Sequence, residues 1–329
     1  VLQGDAGMYR KLYHTADQIE AVLRERKAPA AVVGGRVLPG FIEMLLQLAP
    51  GTRVNQVKAL QADLALALGN ANVRVTQQGS HLAVQIPRAA RSPVRLSALL
   101  ASLKDIPPYT AVLGLAEDGA PLLACLASPD VAHILVAGAT GSGKTSLAHT
   151  ILLSLCQYHR PSRFGLIIID PKRSQESAFI RATEHHRLLN IAHTAEEAIA
   201  ALTRAVTVME QRNTQVEPQP RVAIYVDELA DLVQTGGSVV VDLLTRIAQR
   251  GREAGFHLIA CTQKPSAKVV GSLLKANLPL RLVGRVVSAE DARVATGISG
   301  SGAEKLLGSG DFIAVTSGRV IRFQAAMPN

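Results

Sequence analysis

Eight consecutive residues near the middle of the chain, Gly138, Ala139, Thr140, Gly141, Ser142, Gly143, Lys144 and Thr145, carry the spacing G-x-x-x-x-G-K-S/T. The three glycines let a short loop turn its backbone N–H groups inward around an anion, and a helix starting near Gly143 adds its positive end to the same field. Such a loop cradles a nucleoside triphosphate. Lys144 is expected to reach the β- and γ-phosphates, the Thr145 hydroxyl to ligate Mg²⁺, and the backbone from Gly138 through Ser146 to line the phosphates of ATP. A second carboxylate is needed at the tip of a neighbouring strand, and the run Arg221-Val-Ala-Ile-Tyr-Val226 ends in Asp227 and Glu228. Asp227 is expected to hold Mg²⁺ through water, and Glu228 to orient and polarise an attacking water, the division of labour of a hydrolase. Gln263, after the apolar run that begins at Phe256, is placed to sense the γ-phosphate. Asp231, one turn beyond Glu228, reads as a solvated helix residue.

The elements that must hold these groups are legible as periodicity. "HILVA", "FGLIIID", "VAIYVDE", "FHLIACTQ" and "LPLRLVGRV" are short apolar runs separated by helical patterns. Runs apolar on both faces with helices between them predict an α/β fold with a mostly parallel sheet covered on both sides. Strand before the glycine loop and helix after it is the context that loop requires. Ahead of residue 105 the pattern changes: "DQIEAVLRERK" is an amphipathic helix, and "FIEMLLQLAPG" sets Ile42, Met44, Leu46 and Leu48 on one strand face. "VNQVKALQADLALALG" returns to helical period, and "NVRVTQ" and "HLAVQIP" flank a turn. This predicts a small α+β domain over 1–105 and the ATPase core over 106–329, with the prolines of Asp105-Ile-Pro-Pro-Tyr109 at the boundary.

The 329 residues are 48% hydrophobic, which is enough chain to bury the cores of two domains. No apolar run reaches membrane-spanning length and the first residues lack a signal-peptide layout, so a cytoplasmic location is expected, with any membrane anchor upstream of Val1. Cys125, Cys156 and Cys261 lie in apolar segments without metal spacing and read as core thiols. The net charge of +9 is concentrated late: residues 240–329 hold 12 Lys and Arg against 6 Asp and Glu. With aromatics at 3% and no Trp, this favours contact with a phosphate backbone over base stacking.

Several segments together resemble the motor of FtsK/SpoIIIE DNA translocases. "LVAGATGSGKT" is similar to that family's first motif, "IIIDPKRSQES" to its Asp-Pro-Lys segment, and "AQRGREAGFHLIACTQKPS" to its third strand and following turn. The stretch from Leu273 to Val315, with its Gly-Ala-Glu-x-Leu-Leu-Gly-x-Gly-Asp run, resembles the C-terminal part, and 37–69 the module that precedes the motor. The resemblance implies a RecA-like P-loop ATPase that assembles as a ring, usually a hexamer, around double-stranded DNA. It points to Arg252 as the finger given to a neighbouring subunit, with Arg281 and Arg250 behind it, and to Lys264, Lys268 and Lys275 as DNA contacts beside Gln263. The chain departs from the pattern in the short stretch before "VAIYVDE", in Lys264 where the family commonly has Arg, and in having no winged-helix module after "VIRFQAAMPN". Two other expectations stay open: an FtsK-like ATPase of a protein secretion system, and a conjugative coupling or HerA-like DNA pump.

Overall fold

The computed structural model describes residues 6–38, 41–70, 73–78, 81–88, 93–212, 220–263 and 276–328. The chain divides into two compact units, Val1–Ser92 and Pro93–Asn329.

The first unit runs α1 (Ala6–Glu25), β1 (Ala30–Val37), β2 (Phe41–Leu48), α2 (Val54–Ala59), α3 (Gln61–Ala67), β3 (Arg74–Gln78) and β4 (His81–Pro87). Its strands form an antiparallel sheet in the order β1-β2-β4-β3. Alternation in β2 sends Met44 and Leu46 into the core, with Ile42 and Leu48 against them, and Ile19 and Leu23 of α1 pack on the same cluster. Glu43, on the opposite face of β2, is wholly buried and accepts hydrogen bonds from Arg36 and Gln85. The helical run after Val54 is two helices, because Leu60 leaves helical geometry at φ −83° and ψ 10°.

The second unit contains α4 (Leu96–Ser102), β5 (Thr110–Ala116), β6 (Pro121–Cys125), β7 (Ile134–Ala137), α5 (Lys144–Tyr158), β8 (Phe164–Ile169), α6 (Ser177–Ala182) and α7 (Ala195–Arg212). It continues with β9 (Arg221–Val226), α8 (Leu229–Arg250), β10 (Phe256–Thr262), β11 (Leu280–Val283), α9 (Ala289–Thr296), β12 (Asp311–Thr316) and β13 (Arg319–Ala325). The unit starts ahead of Asp105 because Leu96, Leu99 and Leu100 of α4 share a buried cluster with Val112 and Ala326.

One nine-stranded sheet has the order β6-β5-β13-β12-β11-β7-β10-β9-β8. The five strands β11, β7, β10, β9 and β8 are parallel, with the glycine-loop strand β7 between β10 and β11. The other four extend the β11 edge antiparallel. The parallel strands are buried on both faces. Val222, Ile224 and Val226 of β9 join Leu202, Val206, Leu244 and Ile247 of α7 and α8, whereas Ala223 and Tyr225 join Leu147, Ile151 and Leu155 of α5. The fold is the RecA-like α/β class expected from the sequence. Cys156 and Cys261 lie in the core, but Cys125 is only half-buried, since it ends the edge strand β6. No helix among the described residues is long and apolar enough to cross a membrane.

Candidate active site

Strand alternation decides which side chains meet. The α5 side of β8 takes Leu166 and Ile168, that of β9 takes Ala223 and Tyr225, and that of β10 takes Ile259 and Cys261. Two residues further along each strand direction, the same face receives Asp170, Asp227 and Gln263. Parallel pairing puts all three at the same end of the sheet, where β7 passes into the loop 138–143 and α5 begins.

The loop is shaped by its glycines. Gly138, Gly141 and Gly143 have φ of 154°, 79° and 99°, and a Cβ on Gly138 would lie 2.7 Å from Ser142 Oγ. The first helical bond of α5 is Leu147 N–H to the Gly143 carbonyl, so the earlier N–H groups, including those of Lys144, Thr145 and Ser146, have no helical acceptor. The Lys144 ammonium donates to the Ala139 carbonyl at 3.2 Å, which holds it within the loop. Burial lowers its pKa, against the pull of Glu228 and Asp227. Ser142 Oγ is buried without a hydrogen-bond partner among the described residues. Together these fit an anion of phosphate size, and Thr145 and Asp227 supply the hydroxyl and carboxylate oxygens that suit Mg²⁺.

Asp227 is fixed at both oxygens. Tyr225 Oη donates to Oδ1 at 2.6 Å and Ser174 Oγ to Oδ2 at 2.8 Å. Burial raises the Tyr225 pKa well above its ordinary value, so the phenol stays a donor. Ser174 also reaches Asp170 Oδ1 at 3.3 Å, and the Gln175 N–H donates to Asp170 Oδ2 at 3.2 Å. His149 on α5, stacked on Phe179 and with its pKa lowered by burial, bonds Gln175 Oε1 at 2.6 Å. Glu228 takes the Gln263 N–H on Oε1 at 3.2 Å and pairs through Oε2 with Lys172 at 3.5 Å. Lys172 reaches Asp231 at 3.1 Å as well, so Asp231 is half-exposed but paired. The Gln263 side chain accepts from Thr140 Oγ1 at 3.2 Å. One residue therefore touches both the glycine loop and Glu228.

Other positions lie apart. Arg252 sits in the turn before β10 and pairs with Glu253 at 3.2 Å. The seven residues of β10 separate it from Gln263, about 23 Å at roughly 3.3 Å per residue. It cannot reach the loop of its own chain. Arg250 ends α8 at the same remote end, and the Arg281 guanidinium packs against Gly297 at the foot of α9. Lys264, Lys268 and Lys275 lie outside the described residues.

Asp170, Lys172, Ser174, Gln175 and Tyr225 were not singled out from the sequence as site residues. Their signal was present in the apolar run ending at Asp170 and in the strand parity of Tyr225 with Asp227. Arg285, also unremarked, follows β11, is exposed, and accepts the Ala139 N–H at its carbonyl, 2.7 Å away. The loop 308–311 braces the glycine loop from outside: Ser309 and Gly310 N–H groups donate to the Gly141 and Ser142 carbonyls at 3.1 and 2.9 Å. Asp311, clamped by two hydrogen bonds from Arg322, anchors that brace.

The sequence matches the FtsK/SpoIIIE family over residues 104–217 and 190–267, and the FtsK alpha domain over 5–88. It is 33% identical over 351 residues to a protein named DNA translocase FtsK from Mycobacterium tuberculosis, covering 95% of this chain and 42% of that protein. A Bacillus cereus protein of the same name is 32% identical, with 96% of this chain and 43% of that protein covered. The chain thus spans less than half the length of these relatives. Among solved structures, the pCW3 conjugation coupling protein TcpA, a monomer form with ATPγS, superposes with a TM-score of 0.63 at 17% identity over 95% of each chain. The cytoplasmic domain of the Thermomonospora curvata type VII secretion ATPase EccC gives 0.58 at 23% identity, over 72% of this chain and 32% of that one. These two likenesses show the fold alone.

Proposed function

Because the chain belongs to the FtsK/SpoIIIE family, we propose that it is an ATPase motor that moves double-stranded DNA as an oligomeric ring, a hexamer in keeping with the family, and that it works in the cytoplasm. The observation that carries this reading is the meeting of Lys144, Asp227, Glu228 and Gln263 at one end of the parallel sheet. Gly138 to Ser146 would hold the triphosphate of ATP, with Lys144 on its β- and γ-phosphates. Mg²⁺, held by Thr145 and, through water, by Asp227, would neutralise charge on the phosphates. Glu228 orients the attacking water and takes its proton, with Lys172 and the Gln263 N–H fixing the carboxylate in place.

Gln263 couples this chemistry to movement. Its amide senses Thr140 on the glycine loop while its N–H holds Glu228, and the segment that follows it carries Lys264, Lys268 and Lys275. We assign these lysines to the DNA backbone, so neutralising all three should weaken DNA binding and reduce its salt slope. Arg252 is assigned as the finger for a neighbouring subunit, in line with its distance from its own loop.

The test is displacement of a third strand from a linear duplex. The wild-type chain with ATP should strip it, and Glu228→Ala should bind ATP and DNA but leave it in place. Displacement by Glu228→Ala equal to that of the wild type would refute the assignment of Glu228, and no displacement by the wild-type chain with ATP would refute the motor reading.

A further inference from the structure

At the end of the sheet opposite the glycine loop lies a cavity of about 870 Å³ lined by Tyr109, Cys125, Arg160, Arg163 and Arg221, with the prolines 107 and 108 at its wall. No carboxylate is among its described lining residues. Arg160 and Arg163 are exposed in the turn between α5 and β8, and Arg221 opens β9 beside them, its N–H on the Arg163 carbonyl at 2.9 Å. The three arginines line one cavity, and none of them is paired with a carboxylate among the described residues, so an anion bound there would meet positive charge that no described acid offsets.

Among the described residues, Arg221 is held by uncharged groups. Its guanidinium lies over the Tyr109 ring, 4.9 Å from the centroid, and donates to His257 Nε2 at 3.2 Å. His257 accepts there because its Nδ1–H donates to the Ala132 carbonyl at 3.0 Å, and burial keeps the ring neutral by lowering its pKa to about 3. The other face of the pocket is fixed in the same manner. His159 donates from Nδ1 to the Leu155 carbonyl at 2.9 Å and accepts the Tyr109 N–H on Nε2 at 3.1 Å, and the two rings stack with centroids 4.7 Å apart. Tyr109 takes a left-handed φ of 59°, a conformation that a bulky side chain adopts at a cost. A strained tyrosine and a buried, neutral His257 therefore position an arginine whose partners among the described residues are uncharged. Arg221 lines the cavity together with Arg160 and Arg163, and guanidinium groups supply the donor pattern that recognises phosphate oxygens.

We propose that this cavity is a second anion site, separate from the loop 138–145, that takes a phosphate-bearing ligand through Arg160, Arg163 and Arg221. Its volume suits a compact ligand such as a polyphosphate chain. The same chemistry would accept phosphodiester groups of a nucleic-acid strand. The proposal does not depend on ATP hydrolysis at the glycine loop.

Cys125 supplies a built-in reporter, since it lines the cavity while Cys156 and Cys261 are buried. The experiment measures the rate of Cys125 alkylation by iodoacetamide, read by mass spectrometry, in the full chain carrying Lys144→Ala to disable the glycine loop. Inorganic tripolyphosphate at ten times its dissociation constant should slow alkylation about tenfold, as occupancy dictates. The exposed double variant Arg160→Ala/Arg163→Ala, on the same background, should lose that protection while keeping its far-ultraviolet circular dichroism. Protection by a short DNA duplex but not by tripolyphosphate, again lost in the double variant, would assign the phosphate to nucleic acid. Absence of protection by either probe, or protection that survives the double variant, would overturn the proposal.

Discussion

Removing one hydroxyl tests how firmly the carboxylate of Asp227 is held. Tyr225 is wholly buried, and its Oη donates to Asp227 Oδ1 at 2.6 Å. Tyr225→Phe keeps the ring packed against α5 and deletes that bond together with the hydroxyl's interactions with Gln175 and Cys261, which the cycle below cancels. A hydrogen bond to a charged group contributes about 1.5–3 kcal/mol and a neutral one about 1 kcal/mol. For this wholly buried hydroxyl the expected loss is about 2 kcal/mol. For a urea slope of roughly 3 kcal/mol per M, the midpoint should fall by about 0.7 M. On an Asp227→Asn background the acceptor is neutral, so the same substitution should cost only about 1 kcal/mol, giving a coupling of about 1 kcal/mol across the double-mutant cycle. Urea unfolding followed by far-ultraviolet circular dichroism measures all four proteins. A loss below about 0.5 kcal/mol, or equal losses on both backgrounds, would refute the reasoning that the phenol braces a charged Asp227.

Gly310→Ala should weaken ATP binding by about three- to tenfold, a cost of roughly 1 kcal/mol for a residue at φ 89° whose N–H braces the Ser142 carbonyl; an unchanged affinity for a fluorescent ATP analogue would exclude the brace. Burial lowers His133 to about 4 and His257 to about 3, whereas the unfolded imidazoles take up protons near 6.5. Their stabilisation is complete above pH 6.5 and is lost as pH falls toward 4, by about 1.4 kcal/mol per pH unit for each. Urea midpoints at pH 7 and pH 5 should show this loss, and His257→Gln should remove its share. Arg252→Ala should bind ATP yet lose turnover by about a thousandfold. Mixing it with Lys144→Ala, which carries an intact Arg252, should restore part of the turnover, and no recovery would contradict action between subunits.

Much of this architecture was legible because parallel strands write their burial into the sequence. Runs apolar on both faces, from Ile134, Phe164, Val222, Phe256 and Leu280, marked all five parallel strands, and the glycine spacing fixed which of them carries the phosphate loop. Lys144, Asp227, Glu228 and Gln263 follow from the ends of those strands. The antiparallel strands β5, β6, β12 and β13 were harder to read, since their pairing depends on partners far along the chain, as where Phe323 meets Ala116. The support around Asp227 was hidden for a related reason. Ser174 lies 53 residues from the carboxylate it bonds, and only folding brings β8 beside β9. The brace at Gly310 appeared in the sequence as part of a family pattern, with its backbone bond to Ser142 visible only in three dimensions. The half-buried state of Cys125 likewise depends on β6 being an edge strand.

The most direct test of the central claim is ATP hydrolysis with and without linear double-stranded DNA, beside a Lys144→Ala control, at two salt concentrations. A DNA-driven motor predicts hydrolysis that DNA stimulates, that weakens as salt screens the phosphate contacts, and that the control lacks. Hydrolysis of equal rate with and without DNA would contradict the account and favour a motor for a protein substrate.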